Sequence, residues 1–189
     1  MVERNGLLVM SGTRTALEVT TVAPLDPSVV VVSHLLNLGH TTEDQLLAHY
    51  GRMAEWPGSG KTDLVLRLAD ARFDSIGETR TYLMLFRAHI DMPEPQYKIH
   101  DDGVLVAELD FAWPDLGVWL EFDGFVKYQK LLEEGESASE VVVREKRRED
   151  LVRRLTGWEC IRLTWADLSR PERTAAMIQR VLDGRRAAA

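Results

Sequence analysis

The sequence predicts an α/β protein of the α+β kind, with a helical N-terminal segment over residues 1–74 and an α-β-β-β-α-β core within residues 75–189. Three observations predict it. Apolar residues recur at helical spacing up to about Asp74. Beyond it, three strand-like apolar runs are separated by short turn signals, as in an antiparallel meander. A charged run at Arg144–Asp150 then reads as a helix ahead of a fourth strand-like run. Size and composition fit this class: 189 residues, 45% hydrophobic and 28% charged, can bury a real core and exclude collagen-like, disulfide-framework and disordered chains. The single Cys160 forms no internal disulfide and fits a reducing compartment. No apolar run approaches a membrane span and the N-terminus lacks a signal-peptide pattern, so the expected location is cytoplasmic, without a membrane partner.

The elements follow in order. Pro27 and Ser28 precede a helical run Val29–Leu36, which Gly39 can end in a left-handed conformation. Thr41 or Thr42 can cap a helix through Leu46, Leu47, Tyr50 and Met53, with Glu43 and Asp44 favourably placed in its first turn. Pro57 and Gly58 break it, and Ser59 can cap a helix carrying Leu64, Val65 and Leu68. A helix from about Ser75 to His89 puts Leu83 and Phe86 on its core face. Gln96–His100 and Val104–Ala112 read as strands around the hairpin signal Asp101-Asp102-Gly103. A turn at Trp113–Gly117 leads to a third strand, Val118–Asp123. Residues 133–139 read as a loop, and Ser137 with Glu140 makes a capping box for a helix to about Thr156. Gly157 stops it; Glu159–Thr164 is the fourth strand and Pro171–Leu182 the closing helix, followed by a tail expected to fray.

One apparent motif is set aside. Pro57-Gly58-Ser59-Gly60-Lys61-Thr62 resembles the end of a phosphate-binding loop, but the first glycine of that motif would fall at Glu55 and no strand precedes it. A capped helix junction accounts for it.

The chemistry-bearing residues are acids that interrupt core-like strands. Asp110 sits late in the second strand, and Glu121 and Asp123, two apart in the third, share a face. A short turn between antiparallel strands can bring Asp110 to that pair. Carboxylates gathered without a cation repel, and a divalent ion relieves the cost; oxygen ligands suit Mg²⁺ or Mn²⁺. Such an ion can activate water and stabilise charge on a phosphodiester. Glu78, early in its helix, could add a water-orienting carboxylate. Exposed strand faces also carry solvated acids; the apolar surroundings here favour a clustered site.

With these residues in view, the chain from about 75 to 183 resembles the PD-(D/E)xK restriction-endonuclease-like fold, and is most similar to its very-short-patch-repair-like branch. The resemblance rests on LDFAWPD, LEFDGFVKY, REKRRED and GWECIRLTWADL. The same pieces recur in actinobacterial type IV toxin–antitoxin antitoxins of the abortive-infection family, where a winged helix precedes a helical middle segment; residues 1–74 resemble that middle segment. The resemblance implies Asp110 and Glu121 as metal ligands with Glu78 supporting. It departs from the nuclease pattern where a lysine is expected two residues after Glu121, since that position is Asp123, and where a histidine common in related sequences is Lys127. Lys127 could take the charge-stabilising role.

Arg144–Asp150 holds four basic and three acidic residues. Most serve as a solvated helix face, but in the resembled fold this helix flanks the active site, making Lys146 and Arg148 candidates for phosphate contacts and Arg147, Arg153 and Arg154 an extension. Among Trp113, Trp119, Trp158 and Trp165, core packing is expected, with Trp113 the exception that could stack a base. The five histidines lack metal-ligand spacing. The net charge of -7 argues against indiscriminate coating of DNA but not against a local basic patch. Two functions remain: a metal-dependent nuclease acting on DNA, or an inactive antitoxin-like or regulatory module that keeps the fold and binds a toxin-like protein partner.

Overall fold

The computed structural model describes residues 2–4, 6–53, 55–124 and 138–188. It is a mixed α/β protein with eight α-helices and a four-stranded mixed sheet among these residues. The chain divides into two compact units, Met1–Leu83 and Met84–Ala189.

The first unit opens with a hairpin that the helical reading does not include, β1 (Val2–Arg4) and β2 (Leu7–Val9). Helices α1 (Gly12–Val22), α2 (Leu25–Asn37), α3 (Glu43–Tyr50) and α4 (Thr62–Leu68) follow. Ser11 caps α1 by accepting the Arg14 N–H. Gly12 must be glycine: a Cβ there would stand 2.3 Å from the His40 carbonyl oxygen. Helix α2 ends in a Schellman motif, with His40 N–H to the Leu35 carbonyl, Gly39 N–H to the Leu36 carbonyl and Gly39 at φ 66°. Thr42, the second of the two expected caps, closes a full capping box with Gln45. Ala16, Leu17, Val29, Val32, Leu46, Val65 and Leu68 form the core. Buried threonines inside it satisfy one another, Thr13 with Thr41 at 2.9 Å and Thr20 with Thr62 at 2.6 Å. The rejected phosphate-loop look-alike is a helix junction. Gly58, at φ 81°, packs against the Thr21 carbonyl, and Ser59 lies inside a short 3₁₀ turn (Ser59–Lys61) instead of capping α4.

Helix α5 (Ile76–Arg87) contains the boundary between the units. Just beyond its end, His89 takes φ 53° while its N–H and that of Ile90 bond the carbonyls of Phe86 and Leu85. Leu83, Met84 and Leu85 are buried, but Phe86 is 38% exposed and not on a core face.

In the second unit the sheet order is β3 (Glu94–Asp101), β4 (Val104–Trp113), β5 (Val118–Phe122), β6 (Glu159–Leu163). The first two pairings are antiparallel and β5–β6 is parallel. The β3–β4 turn has Asp102 and Gly103 both at positive φ, the type I′ geometry that their sequence signals. Between β4 and β5, Gly117 at φ 62° closes a 3₁₀ turn, and a Cβ there would lie 2.5 Å from the Arg185 guanidinium. A parallel pair needs a crossover, which includes helix α6 (Ala138–Thr156). Gly157, at φ 68°, ends it by bonding the Arg153 carbonyl. Of the residues expected to form the preceding loop, 133–137 lie outside those described, Ser137 of the expected capping box among them, while Ala138 and Ser139 belong to α6 and not to a loop. A four-residue helix α7 (Trp165–Leu168), absent from the sequence reading, precedes α8 (Pro171–Ala188). The tail is helical to Ala188 rather than frayed, because Arg185 donates to the Leu116 carbonyl and Arg186 pairs with Asp91 and Asp183.

Candidate functional site

The site is built on β5, a strand whose five residues are all buried. It has a paired neighbour on each side, so a charged residue within it must find its partners inside the protein. Glu121 is that residue, 7% exposed. On β4, Asp110 is 6% exposed. The β4–β5 pairing runs from Trp113 opposite Val118 to Phe111 opposite Leu120. One step further in this register Asp110 faces Glu121, and residues opposite one another share a face of the sheet. There the Asp110 carboxylate takes over as acceptor, receiving the Phe122 N–H at 2.7 Å on Oδ2. A charge-assisted bond of this kind holds a buried carboxylate in place beside the strand that carries Glu121.

Helix α6 and strand β6 supply the cations. Arg148 Nη2 lies 3.4 Å from Glu121 Oε1, and Nη1 donates to the Glu108 carbonyl at 2.9 Å. Arg162 of β6 is the register partner of Glu121, but its guanidinium pairs with Glu149 of α6 at 2.7 Å; Glu149 also holds Arg153 at 2.8 Å. Burial disfavours the charged Arg162, and this is more than offset by Glu149, then Cys160, Asp123 and Glu121, which hold its pKa above the usual arginine value. Burial first, then Glu149 and Glu121, push the Cys160 thiol up to about 12, so it is a neutral, unreactive side chain.

The other expected residues have contacts of their own. Asp123 is half-buried just past β5, and its N–H extends the ladder to the Leu163 carbonyl at 2.7 Å. Glu78 is buried at the start of α5: it accepts from Ser75 Oγ at 2.7 Å and from Asp74 N–H at 2.9 Å, while its own N–H bonds Ser75 Oγ. Among the described residues no three His, Cys, Asp or Glu side chains gather as a metal-holding group; the acids brought together are Asp110 and Glu121. Lys127 lies outside the described residues. Lys146 is exposed on α6, as are Arg147, Arg153 and Arg154. Trp113 is not the expected open aromatic: it is 5% exposed and its indole N–H donates to the Asp91 carbonyl at 2.6 Å. Trp165 is the exposed one, at 41%, edge-on to Phe122. Sequence reasoning missed Arg162 and Glu149 as parts of the site. A lone arginine inside an apolar strand run was the available signal for the first; for the second nothing in the charged run singles out one acid.

The fold and site define a mixed α/β protein with a buried carboxylate pair on adjacent sheet strands and a guanidinium against one of them. Among known proteins, the chain is similar to two uncharacterized proteins from two strains of Mycobacterium tuberculosis. Each is 32% identical to it over 125 residues, 66% of this chain and 43% of the relative. The match thus covers less than half the length of these curated relatives. No family model matches the chain, and no solved structure does. Among the described residues, no helix is long and apolar enough to cross a membrane.

Proposed function

We propose that this chain carries a restriction-endonuclease-like domain that acts on DNA phosphodiesters in the cytoplasm, with Asp110 and Glu121 holding Mg²⁺ or Mn²⁺. The observation that carries this reading is the burial of both carboxylates on neighbouring strands, a costly arrangement that a divalent ion would relieve. The helix–three strands–helix–strand order supports it. The donor set fits such an ion: both groups are hard oxygen ligands, and Mg²⁺ is commonly bound through one or two carboxylates plus substrate phosphate. When bound, the ion supplies an activated water and stabilises charge on the phosphodiester.

This chain's own residues set up the rest. The Phe122 N–H fixes Asp110, and the Arg148 guanidinium balances Glu121. Lys146, exposed on α6, is assigned to phosphate contact and Lys127 to charge stabilisation. Asp123, whose charge is felt by Arg162, and Glu78, whose carboxylate accepts from Ser75 Oγ, are assigned supporting roles beside the metal-holding pair.

Supercoiled DNA incubated with Mg²⁺ or Mn²⁺ provides the test. The wild type is expected to nick it, with Asp110→Asn and Glu121→Gln each reducing the rate by at least about a hundredfold. The Asp110→Asn variant retains a side-chain oxygen acceptor for the Phe122 N–H, so its melting temperature separates lost chemistry from lost fold. Equal cleavage by wild type and both variants sinks the reading. The second reading, an antitoxin-like module without turnover that binds a toxin-like protein, is favoured by one observation: Asp123 stands where the nuclease pattern has lysine. Absence of cleavage by every form would support it.

A further inference from the structure

Arg148 is the guanidinium that the structure sets against the buried Glu121. Arg162 is closer in register, yet Glu149 holds its guanidinium at 2.7 Å, while Arg148 reaches down from α6. The Arg148 contact is loose on the Glu121 side, 3.4 Å, and firm on the other, 2.9 Å to the Glu108 carbonyl. The Arg148 side chain is also 31% exposed against 9% for that of Glu121, so the cation has a route to solvent that the carboxylate lacks. An opposite charge stabilises a buried carboxylate, and a monovalent guanidinium and a divalent ion compete for the same one.

We propose that Arg148 is a built-in counter-cation of Glu121 that an incoming divalent metal displaces, so that the guanidinium becomes available to phosphate only once the site is metal-loaded. The inference rests on the metal-site reading above. Glu108 acts as the tether: its carbonyl keeps Arg148 at the rim of the site after Glu121 is given up. Metal binding and phosphate binding are thereby coupled through one side chain, since the same positive charge cannot serve both oxygens.

Titration calorimetry with Mn²⁺ alone tests this on the full chain. Arg148→Gln is expected to bind Mn²⁺ about tenfold more tightly than wild type, because the competitor is gone. Arg148→Lys, which keeps a cation, is expected to stay within about threefold of wild type, and Glu121→Gln to lose binding. In the wild type, the Arg148 Nε–Hε NMR signal is expected to shift as Mg²⁺ is added and to stay fixed in Glu121→Gln; this readout does not depend on Arg148→Gln folding. If Arg148→Gln binds no more tightly than wild type while Glu121→Gln abolishes binding, Arg148 is not a competitor and the metal site stands. A static Arg148 signal during saturating Mg²⁺ binding has the same meaning. If the wild type binds no Mn²⁺, or Glu121→Gln binds as well as wild type, the metal site itself fails and this proposal with it.

Discussion

Asp110 and Glu121 could be read from the sequence because each is an acid inside an otherwise apolar strand, and period-two alternation with a short turn fixes their common face. Their partners could not. Arg148 is one of four basic residues in a run of seven charges, and which of them turns toward the sheet depends on how α6 lies on it, a property of tertiary packing. Cys160 shows the site's electric field from another side. Its thiol is held up to about 12 by burial and by Glu149 and Glu121, against an ordinary value of 9.0. A group whose folded pKa is raised lends stability that is intact below the unfolded pKa and disappears as pH rises through the folded one. Between pH 9 and 12, then, the wild type is expected to lose stability more steeply than Cys160→Ala. Chemical denaturation across that range checks it; superimposable alkaline limbs would show that neither burial nor these carboxylates raise the thiol.

The elements that were legible carry their own punctuation. Gly39, Gly103, Gly117 and Gly157 each adopt the positive φ that their position in the pattern suggests. What lay hidden was short or held from outside. The hairpin β1–β2 has three residues in each strand, too few for alternation to register, and α7 is a single turn. The last turns of α8 carry Arg185 and Arg186, whose partners Leu116 and Asp91 are far away in sequence. Phe86 and Trp113 exchanged their expected exposures because helix and strand faces were assigned without knowing which neighbour covers them. The end of α5 is an unusual case, since His89 occupies the left-handed position that favours glycine. His89→Gly is expected to raise stability by about 1 kcal/mol by removing that cost, measured as a shift in urea midpoint without change of slope. A loss of stability would show that the imidazole makes a contact worth more than the strain.

For the whole chain, the sequence shift at Asp74 marks the start of α5, whereas the compact units part at Leu83, inside that helix. A continuous helical period hides such a boundary, because the pattern of buried positions does not say which core they enter. The net charge of -7 also reads differently beside the site. Asp110 and Glu121 are buried and Glu149 is paired with Arg153 and Arg162, so part of the acidic excess is neutralised internally and does not face a polyanion. The exposed basic residues of α6, few in number, set the expected DNA affinity. Binding should be modest and should fall with salt at a log–log slope of magnitude about 2–4, corresponding to a few phosphates; fluorescence anisotropy over a salt series measures it. Binding that is indifferent to salt would remove α6 as the contact surface.

The mixed pairing of the sheet also sets an order of assembly. Strands β3, β4 and β5 are joined by tight turns and can zip together as soon as they exist, whereas β6 meets β5 only after the long crossover closes. On a ribosome, the meander would emerge with Glu121 on an open sheet edge, its carboxylate still bathed in water. Strand β6 later covers that edge, and helix α6, just before it in the chain, brings Arg148. The counter-charge of Glu121 is thus already synthesised when the strand that covers its edge emerges.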